Sequence, residues 1–440
     1  MEITIEKLIY GGDGLARLPA DDRGRRKAVF VPFTLPGEKV SVTLKQEKGG
    51  FDRALVERIL EPSAQRIEPG CPYFQHCGGC HYQHMEYALQ LQSKVAILRE
   101  NLQRLAKLDF PSEIKVHSAS PWGYRNRARL RVRADSSFAI GFLKQASHEL
   151  LPVESCPISS PLINRTIETL WQCGRKGQVP PELREIELFA NHDDSQLLVE
   201  LYGDLEEHAK GGLQAVQHFA EQLRSVLPEV VSVHLFSQTR ARARGVEDHI
   251  SEEALWTLDP GEFRYPTKSG RLRVSGGSFF QVNRFLIDEL VSVVTAGRSG
   301  DFALDLYAGV GLFSIAMGPS FRHIVAVESS QSSIGDLKYN CPPNVKAARA
   351  TVEEYLSRKG EGLRPEFVVV DPPRAGLGER VARGLGKLAA PQLTYVSCDP
   401  ATLARDLSGL TPSGYRIEQV HLVDLFPQTY HIETVVELAR

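Results

Sequence analysis

Phe302-Ala303-Leu304-Asp305-Leu306-Tyr307, followed at once by Ala308-Gly309-Val310-Gly311-Leu312-Phe313-Ser314, reads as an apolar strand running into a glycine turn that opens a helix. Glycines at such a turn let the backbone approach a ligand closely. About twenty residues beyond the first glycine, Ile324-Val325-Ala326-Val327 forms a second apolar strand that ends in Glu328, where a carboxylate can hold both ribose hydroxyls of a nucleoside cofactor. Ser314 stands where the third glycine of the dinucleotide fingerprint would be. The pattern therefore fits S-adenosylmethionine, with a nicotinamide cofactor as the alternative, and it predicts an α/β fold for this half of the chain.

Two more strand ends follow. Phe367-Val368-Val369-Val370 leads into Asp371-Pro372-Pro373-Arg374, and an apolar strand ends at Val396-Ser397-Cys398-Asp399-Pro400; His431-Ile432-Glu433-Thr434 lies near the C-terminus. An acid after one parallel strand, a cysteine after the next and a late carboxylate suit methyl transfer to carbon 5 of a pyrimidine. Carbon 5 of uracil is a poor nucleophile until a thiolate adds to carbon 6, which makes Cys398 the candidate nucleophile. The proton on carbon 5 must then leave to a base, for which Glu433 is the candidate. Asp371 is placed to orient the uracil edge. Taken alone, Cys398 reads equally well as a small buried apolar residue; its neighbours decide against that.

The chain has 440 residues, enough for two or three domains, and its 42% hydrophobic and 24% charged fractions are those of a globular protein. No apolar run reaches the length of a membrane span, and Met1-Glu2-Ile3-Thr4-Ile5-Glu6 is not a signal peptide, so a cytoplasmic location is expected, without membrane association. A formal net charge of -2 argues against nonspecific coating of nucleic acid but leaves room for a local basic surface.

Of the seven cysteines, Cys71, Cys77 and Cys80 form C-x5-C-G-G-C, whose glycines allow several thiolates to converge. Cys156, beside a proline, is the best fourth ligand, and either an iron–sulfur cluster or a tetrahedral zinc would suit the set. Cys173 and Cys341 carry no such context. Short β-rich runs over 1–8, 27–32, 38–46 and 51–60 predict a small antiparallel barrel of the oligonucleotide-binding kind. Arg23, Arg25, Arg26 and Lys27 supply charge there, though a run of this sort is more often a solvated loop. A helix over 84–108 should bury Leu91, Val95, Leu98, Leu102 and Leu105. Arg125, Arg127, Arg129, Arg131 and Arg133 alternate along a predicted strand and so share one face. A phosphate backbone would be their partner, or else nearby carboxylates would. Arg240-Ala241-Arg242-Ala243-Arg244 is a second, weaker basic run.

With these residues in view, the chain resembles the RNA uridine-5 methyltransferases that use S-adenosylmethionine, and within them the branch with a TRAM domain and an iron–sulfur cluster that acts on 23S ribosomal RNA. The resemblance runs nearly end to end. It is carried by Gly11 to Ala16, Trp122 to Arg129, Phe279 to Asn283, Asp305 to Gly311, Asp371 to Gly376, Ser397 to Pro400 and His431 to Thr434, together with the cysteine set. It implies a Rossmann-like class I methyltransferase domain over 266–440, a TRAM barrel over 1–62 and an α+β central domain over 63–265. It also implies a 4Fe-4S cluster on Cys71, Cys77, Cys80 and Cys156; a cofactor and target-base site of Gln281, Tyr307, Glu328 and Asp371; Cys398 as nucleophile; and Glu433 as base. The enzyme is expected to be a monomer with RNA as partner. A transfer RNA T-loop uridine is the alternative target, and a non-catalytic RNA-binding or folding factor is the alternative of another class.

Overall fold

Continuous apolar strands such as Phe367–Val370 can be stable only where both sheet faces are covered, and the C-terminal half is built that way. The structure, a computed structural model, describes all residues except 21, 23, 109–112, 135–136, 205–209, 240–248, 252 and 259–261. Arg23 and the basic run 240–244 lie outside the described residues.

The C-terminal sheet has eight strands in the order Val345–Arg349, Phe321–Glu328, Gly300–Leu306, Phe367–Val370, Gln392–Ser397, Glu433–Ala439, Arg416–Val423 and Ile114–His117. Strand order reverses between Gly300–Leu306 and Phe367–Val370, which opens a crevice at the carboxyl edge. Glu433–Ala439 runs antiparallel to both neighbours, so its first residue lies at the edge where the parallel strands end. The eighth strand, Ile114–His117, comes from far upstream and pairs in parallel with Arg416–Val423.

The helix Tyr87–Leu105 also packs on this unit: Ile97, Leu98 and Leu102 share a core with Leu403, Leu407 and Tyr395. Its buried face differs from the leucine stripe expected from sequence. Leu98 and Leu102 are buried, but Leu91 and Val95 are half-buried and Leu105 is 54% exposed. Gln90 and Lys94 are turned inward instead, because the loop over 424–428 offers them buried partners. Lys94 Nζ donates to Asp424 Oδ1 (2.6 Å) and to the Phe426 carbonyl, and Gln90 bonds to Gln428.

The N-terminal unit is a six-stranded sheet with a core of Ile3, Ile5, Val29, Val31, Val40 and Val42. It is not wholly antiparallel, as the sequence led us to expect. Ala28–Pro32 pairs in parallel with Phe51–Glu61, because Lys39–Glu47 intervenes in the chain and reverses its direction once more. The central unit is a second large sheet, including Arg127–Arg133, Leu183–Ala190, Leu197–Gly203 and Val230–Thr239, covered by helices Pro161–Arg175 and Lys210–Val226.

On the central sheet Ala128, Leu130 and Val132 face the core, so the odd-numbered arginines do share the other face. Their expected phosphate partner is largely replaced from within. Arg127 pairs with Glu187 and Glu200, Arg129 with Glu185 and Glu187, and Arg131 with Glu185. Leu183–Ala190 lies antiparallel beside the arginine strand in register, so its alternate residues Glu185 and Glu187 fall on the same face. Among the described residues no helix is long and apolar enough to cross a membrane.

Candidate active site

The sheet gathers the sequence-derived residues at one edge. Leu306 pairs with Val370 and Val370 with Tyr395, so Tyr307 and Asp371 follow directly at the carboxyl ends, with Cys398 beyond the end of Gln392–Ser397. Ser397 pairs with Thr434 across the antiparallel step, which brings Cys398 and Glu433 to neighbouring positions.

The glycine turn is formed as its sequence demands. Gly311 has φ +97°, and an added Cβ would meet Leu337 Cδ1 at 2.9 Å and Cys341 Sγ at 3.0 Å, so only glycine fits there. Tyr307 also takes a left-handed conformation, φ 66°, a strain of about 1–3 kcal/mol for a residue with a side chain. Glu328 is held rigidly: its Oε2 accepts from the Gly309 N–H (2.8 Å), and its Oε1 from the Ser329 and Ser330 N–H groups (2.7 and 2.6 Å). Ser314, in the third-glycine position, has its own task and donates its hydroxyl to buried Asp305. Gln281 is 7% exposed in the segment beside Arg125 and Asn126, where Asn126 N–H donates to the Val282 carbonyl.

The edge is crowded with acids. Burial pushes Asp305 up to about 7, against the hydrogen bonds from Ser314. Burial, then the nearby Asp305, pushes Asp371 up to about 7. Glu433 is raised well above the carboxylate range by burial and by Asp371, with Arg374 acting in the opposite sense. Burial, then Glu433 and Asp371, pushes the Cys398 thiol up to about 12, and Arg374 again opposes the shift. Arg374 is thus the cation that favours a thiolate here; it also approaches the His431 ring at 3.4 Å.

Sequence reading missed Tyr10, from the N-terminal sheet. Its hydroxyl reaches the Cys398 carbonyl (3.4 Å) and its ring packs edge-on to Tyr430 at 5.5 Å. Nothing in the local sequence marks it, since its role arises from contact between distant segments. Arg374 and His431 were visible only as motif letters.

Cys71, Cys77, Cys80 and Cys156 line one cavity of about 280 Å³. Among the described residues no group of three or more His, Cys, Asp or Glu side chains is arranged to hold a metal ion, so a closed metal centre is not formed by the side chains as they stand. Burial pushes the Cys77 thiol up to about 11 and the Cys80 thiol up to about 12, and the neighbouring Cys156 adds to both. His431 and Thr429 line the same cavity, which therefore reaches the segment leading into Glu433. Cys173 is buried in the central core, while Cys341 abuts the glycine turn.

Comparison with known proteins gives a consistent family. The family model for tRNA (uracil-5-)-methyltransferase matches residues 86–440, and that for the TRAM domain matches residues 1–54. The chain is 34% identical to an uncharacterized RNA methyltransferase of Aquifex aeolicus, over 100% of this chain and 98% of that protein. It is 32% identical to the 23S rRNA (uracil(1939)-C(5))-methyltransferase RlmD of Chromohalobacter salexigens, over 100% and 89%. Its fold resembles the Pyrococcus abyssi tRNA (uracil-54, C5)-methyltransferase solved with S-adenosyl-L-homocysteine, with a TM-score of 0.74, 23% identity and 100% coverage of both chains. The chain belongs to the tRNA (uracil-5-)-methyltransferase family, the S-adenosylmethionine-dependent RNA uracil-5-methyltransferases, and carries a TRAM domain at its N-terminal end.

Proposed function

We propose that this protein transfers the methyl group of S-adenosylmethionine to carbon 5 of a uridine in 23S ribosomal RNA, with Cys398 as nucleophile and Glu433 as base. The observation that carries the reading is the Ser397–Thr434 register, which makes a thiol and a carboxyl neighbours at the edge of the sheet where a nucleoside cofactor would bind. S-adenosylmethionine supplies an electrophilic methyl on a sulfonium sulfur. The Cys398 thiolate adds to carbon 6, and the electron pair of the 5,6 double bond is released toward carbon 5 and the carbonyl. Carbon 5 takes the methyl group as the sulfonium becomes a neutral thioether. Glu433, ionised once Arg374 and the positive sulfonium offset the burial and the Asp371 charge that raise it, removes the carbon 5 proton, and elimination restores the double bond and expels the thiolate.

Burial first, and then the neighbouring Glu433 and Asp371, favour the thiol form of Cys398 in the free protein. Arg374 and the positive sulfonium both favour the thiolate, so the nucleophile is activated when the cofactor is present. Glu328 would hold the cofactor ribose, with Gln281, Tyr307 and Asp371 around the cofactor and the target base. The four cysteines, which line one cavity, suit a 4Fe-4S cluster, whose irons take thiolate ligands. Such a cluster would join 71–80 to 156 and so tie the two segments together.

In this reading the units are 1–62, 63–265 and 266–440, with the helix Tyr87–Leu105 and strand Ile114–His117 added to the last. The enzyme acts as a monomer in the cytoplasm. The Chromohalobacter relative, similar over the whole chain, favours ribosomal RNA, whereas the Pyrococcus structure keeps transfer RNA as the second reading. The test is incubation with labelled S-adenosylmethionine and total RNA from a strain lacking the protein, followed by mapping of 5-methyluridine. Label in 23S RNA is expected. Label in the T-loop of transfer RNA would install the second reading, and no label in any RNA would leave a non-catalytic factor.

A further inference from the structure

The odd-numbered face of the Arg127–Arg133 strand runs from one groove to another. Near its start a cavity of about 360 Å³ lies between Arg127, Arg129 and the segment over 277–282, with Phe279 65% exposed at its edge. At the other end a wider groove of about 710 Å³ is lined by Arg131, Arg133, His148, Arg184 and Gln238. Charge differs along this face. Glu185, Glu187 and Glu200 neutralise its middle, and Arg131 at the rim of the distal groove is still paired with Glu185. Arg133 and Arg184 are not neutralised in this way. Arg133 is exposed and its Nε–H donates to the Ser137 carbonyl at 3.4 Å, while Arg184 Nη1 donates to the Pro181 and Leu183 carbonyls. Among the described residues neither is paired with a carboxylate. The carboxylate nearest in sequence to His148 is Glu149, which pairs outward with Lys144.

Two cations held by backbone carbonyls, in a groove with no carboxylate among the described residues that line it, suit an anionic polymer better than an isolated ion. We propose that this distal groove binds the sugar–phosphate backbone of the RNA flanking the target, reached along the arginine strand. The inference rests on the RNA-methylating function proposed above but concerns a different surface. The strand from Arg127 to Arg133 spans roughly 20 Å at about 3.3 Å per residue, so only RNA several nucleotides longer than the reacting segment would reach the groove. The glutamates matter to specificity: with the middle of the face neutralised, phosphate is gripped at the far end, and discrimination by length and path results.

Binding of fluorescent oligouridylates of 5 and 20 nucleotides to the full-length protein tests this without requiring turnover. The wild type should bind the 20-mer more tightly and with a steeper dependence on salt. Arg133→Gln with Arg184→Gln should weaken the 20-mer about tenfold at low salt and lower its salt slope by about 1.4, two single-strand phosphate contacts. Binding of the 5-mer and of S-adenosylmethionine should be unchanged. Arg133→Lys with Arg184→Lys should keep most of the slope, and the exposed single variant Arg133→Glu provides the same reading if the double variant does not fold. Equal 20-mer affinity in wild type and Arg133→Glu would overturn the proposal. So would tight binding of a polyglutamate peptide that the same variants abolish, which would assign the groove to an acidic protein. Loss of 20-mer binding with no methylation of any RNA would keep the groove and remove the proposed reaction.

Discussion

Cys398 lies in a site that opposes its ionisation: burial raises its thiol first, the carboxyls of Glu433, Asp371 and Asp399 add to that, and Arg374 acts against it. If Cys398 is the nucleophile, Cys398→Ala should bind cofactor and RNA yet give neither methylation nor a covalent adduct with 5-fluorouridine RNA. An adduct with this variant, seen on a denaturing gel, would remove it from that role. Glu433→Gln should accumulate a methylated covalent species, since attack and transfer precede proton removal. Asp305 offers a test by pH. Its carboxyl is pushed from 3.8 up to about 7 by burial, so between those values the folded protein retains a proton that the unfolded chain releases. That contribution to stability is complete below pH 3.8 and is lost as pH rises through about 7. Asp305→Asn, which can still accept from Ser314, should therefore lose less stability than wild type between pH 4 and 7. Parallel melting-temperature profiles over that range would contradict it.

At the scale of elements, the helix Tyr87–Leu105 and the loop over 424–431 form one unit. Lys94 is 0% and Asp424 1% exposed; Tyr87 donates to the other Asp424 oxygen, Tyr124 to the Pro427 carbonyl, and Asn283 to the Leu425 carbonyl. These bonds fix the loop that delivers Tyr430, His431 and Glu433. Removing one partner leaves a buried charge, so Lys94→Met should cost about 3–5 kcal/mol in denaturant unfolding, and adding Asp424→Leu should recover part of that loss. Additive losses in the double variant would mean that the pair does not act as a unit. The helix shows what periodicity could reveal and what it could not. Leucine spacing located an amphipathic helix, but the polar partners that turned Gln90 and Lys94 inward come from residues more than three hundred positions away.

At the scale of the whole molecule, three units meet around the edge that carries Cys398. Tyr10 arrives from the N-terminal sheet, His81 and Tyr82 donate their N–H groups to the Gln428 carbonyl, and Arg125 with Asn126 borders the Phe280–Asn283 segment. The cysteine cavity belongs to this junction, as His431 lines it. If it holds a 4Fe-4S cluster, anaerobically prepared protein should be brown with iron and sulfide in near-equal amounts. Cys80→Ala or Cys156→Ala should then lose colour, thermal stability and RNA affinity while S-adenosylmethionine affinity falls less. A colourless anaerobic preparation with one zinc per chain would replace the cluster with a zinc site.

The sequence alone determined the features that depend on local order: the apolar strands 302–306 and 367–370, the glycine turn after Tyr307, and the residues that end each strand. Backbone sterics and alternation act between neighbours, so these can be read without the fold. The placing of Asp371 and Cys398 at strand ends was legible for the same reason. Only the tertiary structure decided which distant segments meet. It brought Glu433 beside Cys398 through an antiparallel register, set Glu185 and Glu187 beside arginines that looked free for phosphate, and drew Tyr10 to the Cys398 carbonyl. Pairings of this kind depend on chain direction, register and burial across the whole molecule, and no pattern within a few residues encodes them.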